Sequence, residues 1–140
     1  MPAVGQAWRR ALGRRLSGEG LSDATALPVL VLYQRGDQPL RQGDLARVLG
    51  LEGSAVVRLL DTLEQRALLR RVEDPADRRV KHLELTDEGI ALAQRAQRVA
   101  RVLRESLLRD IPPEDVDTTY RVLRKIGVVL EDLRADPTAR

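Results

Sequence analysis

Apolar residues recur along the chain with a helical period, interrupted at a few short breaks. Trp8, Leu12 and Leu16 share one side of a first helix, with Arg9, Arg10, Arg14 and Arg15 around them. Gly18 and Gly20 end it. Ser22 suits the N-cap of a second helix running to about Arg35, with Leu27, Leu30 and Val31 in phase. Pro28 falls inside this pattern and has no backbone donor, which predicts an irregular first turn or a start nearer Leu27. Gly36, Asp37 and Pro39 form the next turn.

Two short helical patterns follow, over 41–49 and from Glu52 or Gly53 to about Arg66. Gly50 closes the first as a left-handed cap, and the short gap gives helix-turn-helix spacing. Next comes a β-pattern. Residues 69–72 and 78–85 read as two strands of a hairpin joined by Glu73-Asp74-Pro75-Ala76-Asp77. Thr86 caps a long helix to about Arg109, with Asp87 and Glu88 complementing its dipole. Leu92, Ala96, Val99, Leu103 and Leu107 make its apolar stripe, and Arg95, Arg98, Arg101 and Arg104 a separate basic one. Ile111-Pro112-Pro113 breaks the chain. A last helix runs from about Pro113 to Leu133, with Val116, Tyr120, Leu123, Gly127, Leu130 and Leu133 on one face.

The predicted fold is therefore mainly α with a small β-hairpin. It reads as a single domain over 1–140: a winged helix-turn-helix lobe over 23–88, and a helical dimerisation region from 1–20 and 89–135.

Composition narrows the chemistry. There is no cysteine and one histidine, His82, which excludes disulfides, thiol redox sensing and a His/Cys metal site. No P-loop, glycine-rich cofactor fingerprint or paired carboxylates stand out, so neither an enzyme nor a cofactor is expected. No apolar run is long enough for a membrane span, and residues 1–16 lack an apolar signal core, so the expected location is cytoplasmic. Net charge is only +3, yet Arg66, Arg70, Arg71, Arg78, Arg79 and Lys81 crowd one short segment. A local basic patch on a near-neutral chain suits double-stranded DNA.

In a winged helix-turn-helix the second helix presents its first turn to the major groove. Ser54, Ala55, Val57 and Arg58 are the candidates there, with Arg58 open to a guanine edge or a phosphate. Arg41 and Gln42, at the start of the preceding helix, are phosphate candidates. Arg78 and Arg79 at the hairpin tip, with Lys81 beyond, suit a narrow minor groove. Asp77 would repel phosphate and is assigned a structural task, capping the loop or orienting an arginine. Arg70 and Arg71 either reach DNA or pair with Glu73 or Glu84, and His82 packs near the base of the wing. The rival to DNA binding is a winged helix that serves only protein interaction. It would have no need of Arg78, Arg79 and Lys81 together.

At these residues the chain resembles the MarR family of bacterial regulators. The resemblance is carried by Leu45-Ala46-Arg47-Val48-Leu49-Gly50-Leu51, by residues 56–64, and most by the wing. There, Asp77 and Arg79 stand in a D-x-R pattern, and Leu83-Glu84-Leu85-Thr86-Asp87-Glu88-Gly89 in L-x-L-T-x-x-G. The resemblance implies that Arg79 is the minor-groove residue. It also implies a homodimer built from the first and last helices, with Trp8 in its core, and a near-palindromic operator. A repressor released by a small aromatic or anionic effector is the implied mode; the effector's binding residues are unknown. Two positions depart from the family's pattern: Arg41 replaces the usual Thr or Ser cap, and Ala67 replaces a glycine, a strained choice if φ is positive there.

Overall fold

A computed structural model describes residues 2–36, 38 and 40–135. In chain order the elements are α1 (Pro2–Gly18), α2 (Asp23–Gln34), β1 (Leu40–Arg41), α3 (Gln42–Leu49), α4 (Gly53–Gln65), β2 (Leu69–Glu73), β3 (Lys81–Leu85), α5 (Asp87–Leu108) and α6 (Pro113–Ala135). The fold is the mainly helical, winged one that the pattern predicts. The sheet has three strands rather than two, in the order β1-β3-β2, all antiparallel. The extra strand is only two residues long, with Leu40 opposite Leu83 and Arg41 opposite His82. Asp37 and Pro39, from the predicted turn before it, lie outside the described residues.

The chain divides into two compact units, Met1–Leu103 and Arg104–Arg140. The first contains two apolar cores. One gathers Leu45 of α3, Val56, Leu60 and Leu63 of α4, Leu69 and Leu83 of the sheet, Val29 and Leu32 of α2, and Ala93 of α5. The other joins Leu12 and Leu16 of α1 to Ala26 and Leu30 of α2 and to Ala96, Ala100 and Leu103 of α5. Helix α2 serves both cores, which is why it is apolar nearly all round. The first helix thus commits Leu12 and Leu16 within its own chain, with Trp8 half-buried against them. Each fully buried leucine contributes about 1.5–3 kcal/mol.

Several expectations need correction. Helix α2 begins at Asp23, directly after Ser22 as the N-cap reading has it and not at the alternative start near Leu27, and Pro28 sits buried inside it. Ser22 stands at the N-cap without a side-chain cap bond, and its carbonyl instead accepts the amide N–H groups of Thr25 and Ala26 and the Thr25 hydroxyl. Burial of Pro28 offsets its missing donor. On α5 the buried face is Gly89, Ala93, Ala96, Ala100 and Leu103. Leu92 and Val99 are half-buried, and Leu107 is exposed.

The junction between wing and α5 explains the L-x-L-T-x-x-G pattern. Thr86 donates its hydroxyl to the Ala67 carbonyl at 2.6 Å and its amide to the Leu68 carbonyl at 3.1 Å. The same Thr86 hydroxyl accepts the Gly89 amide at 3.0 Å, an N-cap bond. A Cβ on Gly89 would lie 1.9 Å from the Leu68 carbonyl oxygen. Only glycine fits. Ala67 has φ 55°, so the strain foreseen at this position is present.

In the second unit, the Pro112 carbonyl accepts the amides of Asp115 and Val116, which starts α6 with Pro113 in its first turn. Its apolar face, Tyr120, Leu123, Ile126, Leu130 and Leu133, is exposed on the single chain.

Two substitutions test the junction. Gly89→Ala forces backbone apart and should cost about 2–3 kcal/mol, seen as a lower urea midpoint. Ala67→Gly should gain about 1 kcal/mol by relieving the left-handed strain.

Candidate nucleic-acid interface

Helices α3 and α4 meet at Gly50, whose φ of 65° and ψ of 34° are left-handed. The Leu51 amide returns to the Ala46 carbonyl at 2.9 Å, which closes α3 and turns the chain into α4. Arg41 stands at the α3 N-cap and has no acceptor in its side chain. The first-turn amides of α3 thus gain no acceptor from position 41, while Asp44 reaches back from inside the helix and accepts the Arg41 amide at 3.2 Å. The Arg41 side chain is left exposed, and Gln42 beside it is half-buried.

Val56, Leu60 and Leu63 face the core, which turns Ser54, Val57, Arg58 and Asp61 outward. Ala55 lies at the margin, half-buried. Glu52 gives α4 no side-chain cap, so the first-turn amides remain a weakly positive surface. Arg58 lies back along its own helix, with Nε 3.4 Å from the Ser54 carbonyl.

Between β2 and β3, the wing loop is tied by its own backbone and by two aspartates. The Asp74 amide donates to the Val80 carbonyl, and the Val80 amide to the Asp77 carbonyl. Asp77 Oδ1 accepts the Arg79 amide at 3.0 Å, so this carboxylate serves the loop. The Arg78 and Arg79 side chains are exposed, as is that of Lys81, and none of the three forms an ion pair among the described residues. They differ in this from the strand arginines. Arg70 pairs with Glu84 at 3.1 Å.

Arg71 does something the linear pattern did not reveal. It pairs with neither Glu73 nor Glu84 but reaches across to α4. One guanidinium nitrogen is 2.6 Å from Glu64 Oε2 and another 2.8 Å from Asp61 Oδ1. The Arg71 amide also donates to Glu64 Oε1 at 3.1 Å. Arginine's planar fork suits such a double contact. Helix α4 and the wing strand are thereby braced together. The one available signal was the acidic pair Asp61 and Glu64, three residues apart on α4 with no cation at helical spacing C-terminal to them.

The carboxyl of Asp74 is held below the ordinary aspartate value of 3.8, first by its bond to His82 and then by the Ala76 amide. A lowered folded value means that the ionised form stabilises the loop above pH 3.8. That contribution is lost as pH falls through the lowered value. Carbon NMR of the Asp74 carboxyl should therefore show a midpoint below 3.8; one at or above it would contradict the bonding described. Arg71→Ala, which strands two carboxylates, should cost about 1–2 kcal/mol by urea unfolding. Arg71→Lys should recover only part, because a single ammonium cannot match the fork.

Comparison with known proteins agrees with this geometry. The sequence profile of the MarR family matches residues 19–80. The HTH-type transcriptional regulator MhqR of Bacillus subtilis (strain 168) is 30% identical over 118 residues, covering 84% of this chain and 79% of that protein. Among solved structures, the transcriptional regulator PA3341 is similar with a TM-score of 0.79 at 36% identity, covering 94% of this chain and 95% of that one. CouR from Rhodococcus jostii RHA1, solved bound to p-coumaroyl-CoA, gives a TM-score of 0.73 at 31% identity, covering 89% and 87%. MhqR and PA3341 are transcriptional regulators. By sequence and by fold, this chain belongs to the MarR family of transcription regulators and carries that family's winged-helix DNA-binding fold.

Proposed function

We propose that the chain acts as a homodimeric, cytoplasmic repressor that reads a near-palindromic operator and is released by a small effector. The observation that carries the reading is the division of labour among the arginines. Arg70 and Arg71 are committed to carboxylates, whereas Arg78 and Arg79 stand exposed at the tip of an ordered loop. In this reading Ser54, Val57 and Arg58 enter the major groove, with Ala55 letting the backbone come close. Arg79, with Arg78, enters the adjacent minor groove, where the potential is most negative. Arg41, Gln42 and Lys81 hold phosphates.

Two features support the dimer and the effector. A stripe of Tyr120, Leu123, Ile126, Leu130 and Leu133 left in water is costly, and pairing with a second copy would cover it. Two-fold symmetry then repeats the DNA contacts about one turn apart. The effector reading draws on CouR, which was solved with an aromatic acyl-CoA. It also draws on a cavity of about 260 Å³ lined by Arg15, Arg95 and Arg98 against the single carboxylate of Glu19, a basic excess that would suit an anionic group.

Arg79→Ala should weaken binding to the selected operator by about 1–3 kcal/mol in a fluorescence anisotropy titration. Unchanged affinity would contradict the wing assignment. Light scattering at micromolar concentration should give twice the mass of one chain; a monomer would contradict the dimer.

A further inference from the structure

The wing loop carries its two arginines on very little apolar packing. Pro75, Ala76, Asp77, Arg78 and Arg79 are all exposed. Its order therefore rests on hydrogen bonds: backbone bonds within the loop, the Asp77 carboxylate on the Arg79 amide, and the Asp74 carboxylate, which takes more of them than Asp77 does. Asp74 Oδ1 accepts the amides of Ala76 at 2.7 Å and Asp77 at 3.3 Å. Its other oxygen, Oδ2, lies 2.6 Å from His82 Nε2.

His82 is not part of the loop. It sits on β3, the central strand, opposite Val72 of β2 and Arg41 of β1. Its side chain is 17% exposed, and that of Asp74 24%. A residue fixed by the sheet thus grips the hub of a loop that is otherwise held only by itself. The ring's other nitrogen, Nδ1, is buried and has no hydrogen-bond partner among the described residues. The tautomer with its proton on Nε2 suits both facts, because it donates to Asp74 and leaves a lone pair, not an unpaired N–H, at Nδ1.

We propose that His82 is the positioning residue of the wing: by fixing Asp74 it holds residues 75–79 in order before DNA arrives, so Arg78 and Arg79 bind without an ordering cost. The role of His82 is indirect. It rests on the reading of the wing as a DNA contact, and it adds the part of the fold on which that contact depends. A loop that must be ordered on binding loses affinity with every residue fixed.

The test uses the full chain and the DNA it selects from a random pool. His82→Leu removes the donor while keeping an apolar side chain suited to a strand. It should bind that DNA about tenfold more weakly, the worth of one charge-assisted hydrogen bond. In the free protein, the amides of Ala76 and Asp77 should exchange with solvent about tenfold faster, by the same bond's loss. His82→Gln, which keeps an N–H donor, should restore much of both. Should His82→Leu fail to fold, Asp74→Asn, which keeps an acceptor for the two amides but loses the anionic oxygen that faces His82, should reproduce both losses. In the Arg79→Ala background, His82→Leu should cost far less than it does alone.

The outcomes separate the two readings. If Arg79→Ala weakens binding but His82→Leu leaves affinity and both amides unchanged, the wing reads DNA and His82 does not position it. If Arg79→Ala leaves affinity unchanged, the wing assignment falls and the proposal with it. Equal losses for His82→Leu and His82→Gln would also overturn the proposal, since they would point to packing rather than to the bond.

Discussion

A single arginine ties together the two surfaces proposed to meet DNA. Arg71 leaves β2, crosses to α4, and holds Glu64 and Asp61 at 2.6 and 2.8 Å. DNA presents its major and minor grooves at a fixed offset, so a helix and a wing that read both must keep a fixed offset of their own. Apolar packing of Leu60, Leu63, Leu69 and Leu83 brings α4 and the sheet together, but packing of branched aliphatic side chains tolerates small slips. A forked ion pair with a backbone bond from the same residue is directional. The bracing also explains why acidic residues lie so near a surface that should meet phosphate. Asp61 and Glu64 have a cation of their own.

The rest of the lobe extends the same logic outward. At the tip, Asp74 and Asp77 spend their charge on loop amides, and the arginines are left over. At the other end, Thr86 and Gly89 lock the start of α5 against the carbonyls of Ala67 and Leu68. Much of the family signature therefore encodes backbone geometry. The glycine in it leaves room for a carbonyl, and the threonine in it ties two segments.

The helices, the helix-turn-helix corner and the wing could be read from period and punctuation because each is a local matter. Gly50 at a left-handed cap and Pro113 at a helix start need only near neighbours. What escaped was set by distance or by size. Strand β1 is two residues long, too short to show alternation, and exists because β3 offers it an edge. Ala93 and Ala100 are core residues on α5, yet a helical stripe traced by large apolar side chains does not include them. The partners of Arg71 are 7 and 10 residues away in sequence and on another element. The His82–Asp74 contact closes across a loop whose path no spacing rule gives. In the candidate site, the exposed arginines were legible as residue types. Which arginines were free and which were spent was legible only in the fold.

If Arg71 braces α4 to the wing as proposed, both should meet DNA together, as one surface. Hydrogen–deuterium exchange of the full chain, with and without the DNA it selects from a random pool, tests this most directly. Slower exchange on binding is expected in residues 53–58 and in 75–81 at the same DNA concentration. Protection of only one of these segments, or protection confined to α6, would contradict it.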